Sequence, residues 1–96
     1  MTYFPINNFD LIKFRKSNTK NKKYDAIIQN KQNKKQFIIP FGDSRYMHYK
    51  DTTPLKLYTH LNHNDIKRRE LYKKRHSTFI KNGYYSAGYF SQKYLW

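Results

Sequence analysis

Three short apolar stretches separated by polar segments occupy the first 42 residues, and they constrain the fold more than any other feature. Apolar and polar side chains alternate over residues 9–15 and again over residues 23–29, as they do in β-strands. Residues 37–39 form a third apolar stretch, which Pro40 and Gly42 should bring to an end. Short polar connections between three strands predict an antiparallel meander.

The predicted connections are polar and rich in lysine. Residues 17–22 and 30–35 contain only polar and turn-forming side chains, which suits exposed loops. Their lysines could contact phosphates, or they could keep the sheet edges from pairing with other chains. These loop lysines are Lys20, Lys22, Lys23, Lys31, Lys34 and Lys35.

Two short helices are predicted in the second half of the chain. Residues 51–53 can cap a helix that has Pro54 in its first turn and extends to Leu61. Ser86 can cap a terminal helix whose apolar residues fall at helical spacing, namely Ala87, Phe90 and Tyr94. An aromatic stripe of this kind is more typical of a core than of a base-stacking platform, so we expect this helix to pack on the sheet.

A third and strongly basic helix is predicted between these two. Asn64 or Asp65 can cap it, and it should run to about His76. Its few apolar residues are too scattered for a wide core stripe, so the helix should lie on the surface. Its cations are Lys67, Arg68, Arg69, Lys73, Lys74 and Arg75. The row Arg68, Tyr72 and Arg75 could grip an anionic surface or could lock the helix to the sheet.

These elements predict one small α+β domain over residues 1–96, with a β-rich half at 1–42 and a helical half at 43–96. The architecture would be a three-stranded antiparallel meander followed by two or three short helices. A domain of this length buries only about 60 to 65% of its unfolded surface. The 18 aromatic residues (10 Tyr, 7 Phe and 1 Trp) are therefore expected to build a modest core.

The net charge indicates the kind of partner. The chain has 20 Lys and Arg against 6 Asp and Glu, a formal charge of +14 with His neutral. Such an excess attracts anions, and phosphate is the anion that a polyanionic partner most commonly presents. Alternatively, a Lys- and Asn-rich composition reflects AT-rich coding, and the lysines only solvate the surface.

Other classes of function have little support. Without cysteine, disulfides, Cys-based zinc sites and thiol nucleophiles are excluded. His60 and His63 have a ligand-like spacing but lack further ligands, so we predict neither metal nor cofactor. Ser44, His48 and Asp51 lie close in sequence, but this does not establish a catalytic geometry, and the acidic residues are dispersed. We therefore predict no enzyme activity.

The longest apolar runs fall far below the ~18 residues of a membrane span, and no signal peptide is evident, which predicts an intracellular product without a membrane partner.

Three segments of the second half, FGDSRYMHYKD at 41–51, LYTHLNHNDIKRRELYKKRH at 57–76 and SAGYFSQKYLW at 86–96, carry a resemblance. They resemble a family of small, basic, functionally uncharacterised proteins of large nucleocytoplasmic DNA viruses, with related sequences in some phages. The matching positions are Phe41, Gly42, Asp43, His63, Asp65, Arg68, Tyr72, Arg75, His76, Ala87, Tyr89, Phe90, Ser91, Leu95 and Trp96. The resemblance implies a viral protein with a virion- or genome-associated role, in the virion and in the cytoplasm or nucleus of the infected cell.

Charge and resemblance together predict a viral protein that binds nucleic acid without marked sequence preference, with DNA favoured over RNA. The expected contact residues are Lys67, Arg68, Arg69, Lys73, Lys74, Arg75, Lys31, Lys34 and Lys35. The alternative is a minor capsid protein that cements larger capsid proteins, its cations meeting acidic surfaces and Tyr94 and Trp96 burying themselves in a neighbour.

Overall fold

A three-stranded antiparallel sheet forms one half of the molecule. The structure, a computed structural model, describes residues 4–76 and 83–96. After a 3-10 turn at Ile6–Asn8 come β1 (Phe9–Lys16), β2 (Lys22–Asn30) and β3 (Gln36–Asp43), in the spatial order β1-β2-β3. The predicted meander is confirmed, because alternating side chains and short polar loops allow each strand to pair with its neighbour in sequence.

The third strand is longer than predicted. Pro40 and Gly42 do not end it; both lie inside β3, where Pro40 pairs with Asp25 of β2. The prediction of an early end was wrong because β3 is an edge strand, which tolerates proline where the missing N–H would face away from the partner strand. Gly42 adopts a positive φ of 74°, and the ideal Cβ of any other residue would lie 2.8 Å from Leu95 Cδ1.

The central strand supplies the core. Tyr24, Ala26 and Ile28 of β2 are fully buried and share one side of the sheet. They pack against the other members of the buried cluster, which are Phe9, Ile39, Phe41, Tyr89, Phe90 and Leu95. Aromatic rings dominate this cluster, with Phe41 and Phe90 at a centroid distance of 5.5 Å. The expectation of a small aromatic core agrees with this arrangement.

Two α-helices follow the sheet in the described residues. The basic helix α1 spans Ile66–His76, and Asp65 caps it by accepting a hydrogen bond from the Arg68 N–H at 3.2 Å. The terminal helix α2 spans Ala87–Tyr94, and the Ser86 hydroxyl accepts from the Tyr89 N–H at 3.1 Å. Both predicted helices, and an α+β fold, are confirmed. None of the helices in the described ranges is long and apolar enough to cross a membrane.

The helix predicted after residues 51–53 is absent from this described segment, which contains only a 3-10 turn at Thr59–Leu61. Asp51 causes the difference, because its buried carboxylate accepts from the N–H groups of Thr53 and Tyr58. The N–H of Leu57 donates to the Tyr24 hydroxyl at 2.8 Å. Backbone donors that would start a helix are therefore bonded to buried side chains, and the chain wraps around the carboxylate instead.

Candidate nucleic-acid interface

Helix α1 presents its cations on two different faces. Lys67, Arg68, Lys74 and Arg75 are exposed, and we call these four residues the outer face. Arg69, Tyr72, Lys73 and His76 are half-buried and lie on the side that packs against the domain. The six predicted contact residues of this helix are thus divided, with four on the outer face and two on the inner side.

Aromatic and hydrogen-bonding contacts fix the rotation of α1. The rings of Tyr72 and Trp96 stack at 4.2 Å with an angle of 5°. Arg69 donates from Nε to the main-chain oxygen of Trp96 at 2.7 Å, and its guanidinium lies 5.0 Å from the centroid of Tyr49. Tyr72 therefore locks the helix in place, whereas Arg68 and Arg75 of the same sequence row remain exposed.

A cavity of about 260 Å³ lies beneath the inner side of α1. Its lining residues come from the segment 49–52, α1, α2 and the last residues, and they are Tyr49, Lys50, Thr52, Arg69, Lys73, Gln92, Lys93, Tyr94 and Trp96. Four of these side chains are cations and none is an acid. Burial, and then the charge of Arg69, lowers the pKa of Lys73. The cavity is therefore an electropositive recess next to the outer face.

The predicted loop contacts lie elsewhere. Lys31, Lys34 and Lys35 are exposed around the β2–β3 turn, where Lys31 is 3.8 Å from Asp10 and Lys35 lies 5.7 Å from the Phe37 ring centroid. Helix α1 lies near the opposite end of β2, since Tyr72 and Lys23 line one common cavity. The first and last of the nine residues of β2 are eight steps of roughly 3.4 Å, or about 27 Å, apart. The structure thus does not bring the loop lysines to the helix.

Lys23 differs from the other loop lysines. It is only 2% exposed, and Nζ donates to the main-chain oxygen of Tyr46 at 2.9 Å and to His48 Nδ1 at 2.9 Å. Burial lowers its pKa to about 8. Its placement in an exposed loop was wrong, because it belongs to the central strand β2, both of whose faces are covered. Its side chain is not available to a polyanion.

A buried polar network extends from Lys23. Because Lys23 donates to Nδ1 of His48, the Nε2–H of the ring donates to Asn62 Oδ1 at 2.7 Å. Burial, and then the charge of Lys23, lowers the pKa of His48 to about 4, so the ring is neutral at pH 7. Asn62 Oδ1 also accepts from the Asp51 N–H at 2.8 Å. This network was not predicted from the sequence, and it holds the segment that forms one wall of the cavity.

The histidines considered as metal ligands have other contacts. His63 Nδ1 accepts from the Asp65 N–H at 2.9 Å, and the His60 ring lies 5.9 Å from that of Tyr58. Across the two described ranges, no three His, Asp or Glu side chains cluster as a metal site would require.

The aromatic residues expected to dock on a neighbour are packed within the domain. Tyr94 lies 4.7 Å from the Phe14 ring, and Trp96 is stacked on Tyr72. Both side chains remain half-buried, so each keeps part of its surface open.

Comparison of the chain with protein-family models, with curated proteins and with solved structures gave no match. The fold and the charged surface define a small α+β domain with a cationic helix. The viral resemblance stays a prediction.

Proposed function

We propose that this protein binds nucleic acid through phosphate contacts without marked sequence preference, DNA being favoured over RNA, in association with a viral genome or virion. One observation supports this proposal above the others. Helix α1 is held by its inner side, and its outer face presents four cations that form no ion pair within residues 4–76 and 83–96.

The spacing of the outer face suits a row of phosphates. Lys67 and Lys74 are seven residues apart, as are Arg68 and Arg75, which is about 10 Å along the helix axis at roughly 1.5 Å per residue. One DNA strand carries a phosphate about every 3.4 Å of axis, so both pairs can engage one strand. Contacts of long flexible cations with phosphates carry no sequence information, which is why the proposal is non-specific.

The test is the salt dependence of DNA binding, measured by fluorescence anisotropy with a labelled duplex between about 50 and 200 mM salt. Replacing all four outer-face cations by Gln should weaken binding and reduce the slope of log affinity against log salt by up to about 3.6, since each phosphate contact contributes about 0.9. The control replaces Lys31, Lys34 and Lys35 by Gln, which removes nearly as much charge from the far end of the sheet.

If the two variants lose the same binding free energy for each charge removed, then net charge and not α1 determines affinity. No binding by the native protein at low salt would refute the proposal. The same titration with duplex RNA tests the preference for DNA.

A second function, as a minor capsid cement, is favoured by the apolar residues between the cations. Ile66 is 60% exposed and Leu71 is 54% exposed on α1. An acidic protein surface would bury them, whereas a phosphate backbone would not. In this case Leu71→Ser should reduce incorporation into particles and leave DNA affinity unchanged. The protein should then hold a fixed stoichiometric place in the shell, and release with the genome would contradict this function.

A further inference from the structure

The cavity beneath α1 is lined by four cations, and none of its lining side chains is acidic. Its cations come from three separate parts of the chain: Lys50 precedes the wall residue Thr52, Arg69 and Lys73 lie one turn apart on α1, and Lys93 lies on α2. Cations gathered by different elements repel one another in the free protein. A bound anion would remove that repulsion.

Two of the four cations use only part of their hydrogen-bonding capacity, and the other two make no side-chain hydrogen bond or ion pair with the described residues. Lys93 donates to the Tyr89 hydroxyl at 3.1 Å, and Arg69 uses Nε for the Trp96 oxygen, which leaves the other guanidinium N–H groups. Lys50 and Lys73 make no side-chain hydrogen bond or ion pair with any residue that the structure describes. The pKa of Lys73 is lowered because burial, and then the nearby charge of Arg69, disfavour its charged form.

A buried amide also lacks a partner at this site. Gln92 is only 6% exposed and lines the cavity, and its Oε1 makes no hydrogen bond with the described part of the chain. A buried polar atom without a partner is unfavourable. As placed, Oε1 is an acceptor and cannot bind an anion; a half-turn about the last torsion would exchange it with the NH₂ donor.

We infer that this cavity binds a phosphate monoester, the form in which a nucleic-acid strand presents its terminal phosphate; the inference rests on the proposed function and names its ligand more closely. A monoester carries about −1.5 to −2 charges at pH 7, whereas each backbone diester carries one. The unused donors of Arg69 form a planar fork that can bind two phosphate oxygens at once.

The size of the cavity favours a strand end over a stretch of backbone. Sites for drug-sized ligands measure about 300–1,000 Å³, and this cavity measures about 260 Å³. It can therefore take a terminal phosphate with part of its nucleoside. The rings of Tyr49, Tyr94 and Trp96 supply the apolar part of the wall, against which a sugar or base can lie.

The experiment compares two labelled single strands that differ only in a 5′-phosphate or a 5′-hydroxyl. We expect the native protein to bind the phosphorylated strand about tenfold more tightly, which corresponds to one good charge-assisted contact beyond the backbone. Inorganic phosphate and a nucleoside 5′-monophosphate should each compete for this preference; the monophosphate should compete better if the nucleoside contributes.

Lys73→Gln and Lys74→Gln form a matched pair of variants. Both remove one lysine charge from adjacent positions of α1, but Lys73 lines the cavity and Lys74 belongs to the outer face. Lys73→Gln should abolish the preference for the phosphorylated strand. Lys74→Gln should weaken binding of both strands equally and keep the preference. Lys50→Gln, which alters a different element, should repeat the effect of Lys73→Gln, and circular dichroism should show all three variants to be folded.

Equal affinity of the native protein for the two strands would overturn the inference about the cavity, even if salt-dependent binding persisted and supported the proposed function. A preference that survives both Lys73→Gln and Lys50→Gln would also overturn it. Absence of binding to either strand at low salt would instead refute the proposed function itself.

Discussion

The substitution Tyr24→Phe tests whether the buried carboxylate of Asp51 organises the irregular segment between the sheet and α1. Tyr24 is fully buried, and its hydroxyl donates to Asp51 Oδ2 at 2.5 Å while accepting from the Leu57 N–H at 2.8 Å. The substitution removes one oxygen and leaves the ring in place. Its effect on stability therefore reports these two hydrogen bonds and little else.

The expected loss follows from the two bonds. A hydrogen bond to a charged group contributes about 1.5–3 kcal/mol, and an amide left without its acceptor loses about 1 kcal/mol more. Asp51 keeps its bonds from Thr53 and Tyr58, so it does not become an isolated buried charge. We expect the free energy of unfolding to fall by about 2.5–4 kcal/mol, and the melting temperature by at least about 10 °C.

Urea unfolding followed by circular dichroism measures this change, with Trp96 fluorescence as a second probe. The control is Tyr46→Phe, because Tyr46 is 63% exposed and its ring keeps its contact with Arg45 when the hydroxyl is removed. The control should change stability by less than about 0.5 kcal/mol. If Tyr24→Phe were as stable as this control, Asp51 would not be what organises the segment.

Three further predictions concern buried titratable groups and glycines with positive φ. Burial lowers the pKa of His48 to about 4, below the usual 6.5 of the unfolded chain, so the free energy of unfolding should fall as the pH decreases from about 6.5 to 4. Burial lowers the pKa of Lys23 to about 8, so stability should rise from about pH 8 to 10, and Lys23→Met should remove that rise in urea titrations. Gly42→Ala should cost about 1–3 kcal/mol, because a Cβ there meets Leu95 at 2.8 Å and φ is 74°. Gly83→Ala, which has φ of 77° and open space around it, should cost only the part due to φ, and thermal melts of the two variants compare them.

The elements that could be predicted from the sequence are those set by local patterns. Alternation over residues 9–15 and 23–29 fixes which side chains share a face, and polar loops leave each strand only its sequence neighbour to pair with. The Ser86 cap and the aromatic spacing after it define α2 in the same way. Even here one detail escaped, because Ile12 lies at a register shift of β1 and is 46% exposed. A bulge of this kind depends on how the partner strand is placed.

The path of residues 48–62 could not be predicted, because distant partners determine it. Local signals at 51–53 and Pro54 favour a helix, and only the position of Asp51 beside Tyr24, 27 residues earlier, overrides them. The burial of Lys23 has the same origin, since its acceptor on His48 is 25 residues away. Sequence shows that such residues are polar, but the tertiary fold decides whether a polar side chain meets water or a buried partner.

The basic helix is the clearest case in which the sequence alone does not show which side chains form a functional surface. Helical periodicity separates Lys73 from Lys74 by about 100°, but it does not say which of them faces the domain. The stack of Tyr72 on Trp96 decides this, since it turns Arg69 and Lys73 toward the cavity and leaves Lys67 and Lys74 outside. One run of cations thereby acquires two kinds of environment, an open row suited to many equivalent phosphates and a recess suited to one doubly charged group. Variants of neighbouring lysines can therefore separate non-specific attraction from recognition of a strand end, which a change in total charge cannot do.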